Sequence, residues 1–161
     1  MKFSIITINY NNKDGLERTV KSVISQTFQD FEYIIIDGGS TDGSVDVIKK
    51  FADRIDYWVS EPDKGVYNAM NKGIQQAHGD YLNFMNSGDC YYDKYRLEKI
   101  MKYNLEADFV IGRDFHEDSI NGSSFTSIHP LLPNSFYFYI STLPHQSAFI
   151  KKEMLKMQIV R

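Results

Sequence analysis

The chain alternates short apolar runs with stretches whose apolar positions recur every three or four residues. FSIITI (3–8) and FEYIII (31–36) are β-branched runs without polar alternation, which predicts strands covered on both faces. Between them Leu16, Val20, Val23 and Ile24 fall on one helical face, with Glu17, Arg18 and Lys21 off it. Val45, Ile48 and Ala52 predict a second helix ending near Arg54, and IDYWVS (55–60) a third strand. Met70, Ile74 and Ala77 continue a stripe from Val66, with Gly79 as its stop. A fourth strand follows at 80–86, a helix at about 93–104, and a fifth strand at 108–112. This succession predicts an α/β fold with a mainly parallel sheet flanked by helices. After Gly112 the pattern loosens: SFTSI, SFYFYI and QSAFI read as short strands, and KKEMLKMQIV begins a helical pattern.

Composition narrows the classes. With 161 residues, of which 42% are hydrophobic and 24% charged, the chain has the make-up of one globular domain. A formal net charge of −3 with interspersed signs gives no basis for nucleic-acid binding. No run approaches a membrane span, and the N-terminus lacks a signal-peptide pattern. The single cysteine, Cys90, reads as a packing residue and fits a reducing compartment, so a cytoplasmic location is expected.

In open α/β sheets the ligand lies beyond the carboxyl ends of the strands. Those ends carry Thr7, Asn9 and Tyr10; the stretch from Asp37 to Asp42; Glu61 to Lys64; and Asn86 to Asp89. Asp37, after an apolar strand, is placed to accept hydrogen bonds from a base imide or ribose hydroxyls, and reads equally as a turn or cap residue. Gly38 and Gly39 allow close backbone approach. Ser40 or Asp42 suits a helix cap, and Tyr10 suits stacking on a flat base. Lys64 is a candidate for neutralising a diphosphate. Asp89 stands alone in its turn. That is enough for Mg²⁺ or Mn²⁺ carried by a nucleotide, since such ions need only one or two protein carboxylates beside substrate phosphates; Asp89 reads equally as a turn former. Asn71 and His145 are candidates for donor or acceptor contact.

Taken in order, SQTF, IDGGSTDGS, EPDKG, MNKGI and NSGD make residues 3 to about 93 resemble the N-terminal half of a family 2 glycosyltransferase with the GT-A fold, the nucleotide-diphospho-sugar transferase fold. The likeness is greatest to bacterial members that build O-antigen and capsule. It implies inverting transfer of a sugar, usually from a uridine diphosphate donor, to the hydroxyl of a saccharide or lipid-linked saccharide, with peripheral membrane association where the acceptor is lipid-linked. It implies that Thr7, Asn9 and Tyr10 line the nucleoside pocket; Gly39 and Lys64 are candidates for the same nucleotide site from their own chemistry. Asp37 belongs to the motif whose acids meet uracil, Asn86 and Ser87 lie near ribose and donor sugar, and Asp89 is the metal ligand. Where the family often has a second acid, this chain has Gly38, which leaves open the group that reads the base. The family's catalytic base follows the segment beginning PHQ and is expected beyond Arg161. Residues 1–161 then form a GT-A domain truncated at its C-terminus: 1–112 the nucleotide-binding half, 113–161 the start of the acceptor-binding half. Two alternatives remain: a non-catalytic nucleotide-sugar or protein-binding module, and a sugar-nucleotide pyrophosphorylase-like enzyme. Against the latter, TINYNNKDG lacks a glycine-rich basic phosphate loop.

Overall fold

The structure, a computed structural model, describes residues 2–102, 107–112, 115–117, 124–126 and 146–156. Strand β1 (Phe3–Asn9) is buried along its whole length. Its side chains alternate between two apolar layers. Phe3 and Ile5 pack with Leu16, Val20 and Val23 of helix α1 (Lys13–Ile24) and with Val47 and Ile48 of α2 (Ser44–Lys50). Ile6 and Ile8 pack on the other side with Ala69, Met70 and Ile74 of α3 (Val66–Gln76). Such two-sided burial is what an uninterrupted β-branched run encodes. Strand β2 (Phe31–Asp37) repeats the arrangement, with Tyr33 and Ile35 on the first side and Ile34 and Ile36 on the second.

The remaining elements are β3 (Tyr57–Ser60), β4 (Tyr81–Phe84), α4 (Arg96–Met101), β5 (Phe109–Ile111), β6 (Phe115–Glu117), β7 (Ser124–Thr126), β8 (Ala148–Lys151) and α5 (Lys152–Lys156). The main sheet runs β3-β2-β1-β4-β8-β5, and β6 pairs with β7 in a separate antiparallel ribbon. β1 lies parallel to both β2 and β4, and β2 parallel to β3. The chain therefore builds outward from β1 to β3, then returns to β1's other edge with β4. That reversal creates a topological switch point between β1 and β4, the place where such sheets open a crevice.

Four elements differ from the sequence-based expectation, the first being β6, a strand paired with β7 in a segment whose polar and turn residues predict a loop. The helix expected to reach Arg54 stops at Lys50, because Phe51 leaves the helical region at φ −114°, and a 3₁₀ turn over Ala52–Arg54 leads to β3. The helix expected at 93–104 is only Arg96–Met101, since Asp93 forms a turn by accepting the Tyr95 N–H. β8, from the QSAFI segment, enters between β4 and β5 and runs antiparallel to both. The aromatic run at 136–140 and His145 lie outside the described residues. No described helix is long and apolar enough to cross a membrane.

Candidate functional site

Register places three polar residues in a transverse row at the C-terminal rim, with Asn9 opposite Asp37 and Asp37 opposite Ser60. The row is cross-linked through Asp37. One carboxylate oxygen accepts from Asn9 Nδ2 at 2.7 Å and Ser40 Oγ at 2.6 Å. The other accepts from the Ser40 backbone N–H at 2.9 Å and Ser60 Oγ at 2.5 Å. Burial alone would raise the Asp37 pKa, but these donors outweigh it and hold the carboxyl below its usual range. With 0% exposure and its acceptor sites filled, Asp37 is a brace for the rim. The acceptor expected there for a base or ribose is spent on the protein.

Asn9 is 4% exposed, and its side-chain oxygen is buried with no hydrogen-bond partner. The Ser87 hydroxyl is buried in the same state. Orphaned buried polar atoms are rare in folded proteins, and both of these lie beside the switch point. Thr7 is fully buried and exchanges a hydrogen bond with the Tyr33 hydroxyl at 2.9 Å, so its side chain faces the core below the rim. Tyr10 projects outward with 68% exposure.

The loops after β1, β2 and β4 are tied to one another. Asn11 donates its N–H to Ser40 Oγ at 2.8 Å and accepts the Thr41 N–H on its side chain at 2.9 Å. Lys13 N–H reaches Asp42 at 2.8 Å, while the same carboxylate accepts from Ser44 at the start of α2. Asp42 therefore serves the helix end, as one of the two cap candidates the sequence offered. Asn12 caps α1 by accepting the Gly15 N–H, and its amide donates to the Ser87 carbonyl at 2.9 Å. β1's loop thus holds β2's loop on one side and the 86–89 turn on the other.

That turn is shaped from beneath by Thr19. Its hydroxyl accepts the Gly88 N–H at 2.9 Å and donates to the Asp89 carbonyl at 2.8 Å. Gly88 has φ +111°, a conformation an aspartate would adopt only under strain. The half-buried Asp89 carboxylate accepts the Asn86 backbone N–H at 3.0 Å. Among the described residues no group of three or more metal-ligating side chains gathers anywhere. A single carboxylate in this turn suits a cation brought in by a diphosphate and does not suit one held by protein alone.

The loop after β3 closes the rim's far side. Gly39, at φ +80°, lies where an added Cβ would meet the Pro62 nitrogen at 3.1 Å. Lys64 is exposed, with its backbone N–H on Asn68 Oδ1. Asn71 is half-buried on α3. Cys90 is exposed, contrary to the packing role expected; partial desolvation, against a smaller pull from Arg18, raises its thiol pKa.

Sequence reasoning had not singled out Asn12, Thr19 or Ser60. Thr19 carried a signal: it is a polar residue on the apolar stripe of α1.

The family model for glycosyl transferase family 2 matches residues 4–156. The chain belongs to glycosyl transferase family 2. The fold is the GT-A-like α/β fold, and the pyrophosphorylase alternative falls away. Rv1514c of Mycobacterium tuberculosis, described as an uncharacterized glycosyltransferase, is 51% identical over 87 residues, 53% of this chain and 33% of that one. TuaG of Bacillus subtilis, described as a putative teichuronic acid biosynthesis glycosyltransferase, is 37% identical over 106 residues, 64% of this chain and 42% of its own. The chain therefore spans between a third and a half of the length of these relatives. Among solved structures, S. aureus TarS 1–349 in complex with UDP superposes with a TM-score of 0.74 at 22% identity, over 98% of this chain and 48% of TarS. The mannosyltransferase PcManGT of Pyrobaculum calidifontis, in complex with GDP-Man and Mn²⁺, gives 0.70 at 16% identity over 97% and 46%.

Proposed function

We propose that this chain is the donor-binding part of an inverting glycosyltransferase that takes a sugar from a UDP-sugar to an acceptor hydroxyl in bacterial surface polysaccharide synthesis. The observation that carries the reading is the braced rim at the β1/β4 switch point, with the orphaned buried oxygens of Asn9 and Ser87 beside it. TarS with UDP, and TuaG with its putative part in teichuronic acid biosynthesis, support the donor and pathway class. PcManGT with Mn²⁺ supports a divalent cation.

In this reading Tyr10 offers an exposed ring for the base. The Asn9 and Ser87 oxygens meet hydroxyls of ribose or donor sugar, with Asn86 alongside. Gly39 lets the rim backbone approach the nucleotide. Lys64 lies near the diphosphate and draws off part of its charge, and Asp89 holds Mg²⁺ or Mn²⁺ there. The cation, when bound, steadies the negative charge of the departing diphosphate. The acceptor oxygen attacks the anomeric carbon as the bond to the diphosphate breaks, giving inversion. The acceptor's proton passes to a carboxylate, and such a base is worth about 10²–10⁴-fold. Residues 113–161, with His145, and Asn71 on α3 are assigned to the donor-sugar or acceptor side. The acceptor is a saccharide or lipid-linked saccharide, met in the cytoplasm at the membrane's inner face.

Calorimetry tests the donor site. UDP should bind with Mn²⁺ or Mg²⁺ and more weakly without either. Changes in a metal's outer partners already cost roughly 10–100-fold in metal affinity. Asp89→Ala should therefore reduce the metal-dependent gain by at least about tenfold. Absence of nucleotide heat with both metals would refute the proposal, and an unchanged metal gain in Asp89→Ala would remove that residue from it.

A further inference from the structure

We propose that Asp63, on the loop between β3 and α3, is the carboxylate that reads the edge of the nucleotide base, in the space a side chain at position 38 would otherwise fill. The inference rests on the donor-site reading above and names the residue that sets its base preference.

Gly38 has a φ outside the left-handed region, so its backbone alone does not demand glycine. Space does. An added Cβ would fall 2.8 Å from Asp63 Oδ2 and 3.2 Å from Tyr10 Cδ2. A carboxylate head and an aromatic ring therefore flank the same Cα at the end of β2. The other acids near this end of the rim are committed. Asp37 is sealed by Asn9, Ser40 and Ser60. Asp42 takes the Lys13 and Ser44 donors, and Glu61 pairs with Lys72 at 2.7 Å. Asp63 is half-buried, its Oδ1 accepts the Gly65 N–H at 2.8 Å, and no described residue donates to Oδ2.

The chemistry follows from that single unspent oxygen. A carboxylate is an acceptor only and requires an N–H opposite it. Uracil offers one, the imide N–H between two carbonyls. Guanine offers an adjacent pair of N–H donors, best matched by a carboxylate with both oxygens available, whereas Oδ1 here is held by Gly65. Cytosine presents a bare ring nitrogen at the imide position, acceptor against acceptor. A base lying on the Tyr10 ring would bring this edge to Asp63, giving a preference for UDP over GDP and over CDP.

The clean test is Asp63→Asn. Its side-chain oxygen can still accept the Gly65 N–H, so the loop turn survives, while the charge and the second acceptor are replaced by an N–H₂ donor. Calorimetric titration of UDP and CDP with Mn²⁺, beside a thermal melt of each protein, reads the outcome. The wild type should favour UDP. In the variant UDP should weaken by about tenfold or more, the scale of a lost charged hydrogen bond. The UDP-to-CDP ratio should narrow by at least as much, at an unchanged melting temperature. An unchanged ratio in a folded variant that binds UDP would overturn the role of Asp63 and leave the donor site standing. A wild type that takes up neither nucleotide would overturn the donor site, and this inference with it.

Discussion

Thr19 occupies the buried stripe of α1 between Leu16 and Val20, a place where sequence pattern alone asks for an aliphatic side chain. Valine has the same shape and would pack there equally well. What it would lack is the hydroxyl that accepts from Gly88 N–H and donates to the Asp89 carbonyl. Thr19→Val would leave that amide without its partner in a part-buried turn. The cost is about 1–3 kcal/mol, measurable by urea denaturation, and UDP–Mn²⁺ affinity should fall as Asp89 loses its fixed position. A variant with wild-type stability and affinity would show that the 86–89 turn holds its shape without α1. At this scale the sequence made the rim legible, because strand ends collect ligand residues whatever their neighbours. It did not reveal the state of each group. Whether Asp37 is an open acceptor or a closed brace depends on Ser60, which reaches it only through the register of β3.

Elements are joined by a second buried carboxylate at the opposite end of the sheet. Glu32 of β2 accepts from Ser4 Oγ of β1 at 2.5 Å and from the Gly79 N–H at 3.1 Å, and also from the His78 N–H, clamping the α3–β4 turn to both strands. Burial would raise its pKa, but these donors prevail and hold it below the ordinary 4.5. A carboxyl whose pKa is lowered by folding stabilises the fold above its unfolded pKa and ceases to as pH falls through the folded value. The melting temperature should therefore drop as pH is lowered from about 5 through the region below 4.5. Glu32→Gln should melt lower at pH 7, by about 1–3 kcal/mol of stability, because its N–H₂ would face donors, and its melting temperature should vary less with acid. Parallel pH profiles for the two proteins would exclude Glu32 as an acid-labile clamp. The central elements were legible because β1 and β2 are continuous β-branched runs and α1 keeps one helical period. β8 was read as a strand from QSAFI, but its place between β4 and β5 was not, since antiparallel insertion of a distant segment leaves no local mark. The early end of α2 was missed because Ala52 and Ile48 keep the helical spacing through a 3₁₀ turn.

For the molecule as a whole, the proposed site draws together the ends of β1, β2, β3 and β4, so a bound donor would tie the middle of the sheet rather than one loop. Unfolding must then release the ligand, and binding adds to global stability by mass action. At a free ligand concentration of 100 times Kd the gain is about 2.7 kcal/mol. For chains of this length each kcal/mol corresponds to roughly 2–4 °C. UDP with Mn²⁺ at that ratio should raise the melting temperature by about 5–10 °C. At the same concentrations uridine, which brings no diphosphate to carry the cation to Asp89, should raise it far less. A differential scan that shows equal shifts for UDP and uridine would mean that the diphosphate and its cation do not engage the 86–89 turn. The loop network would then hold a nucleoside without Asp89 as a metal ligand.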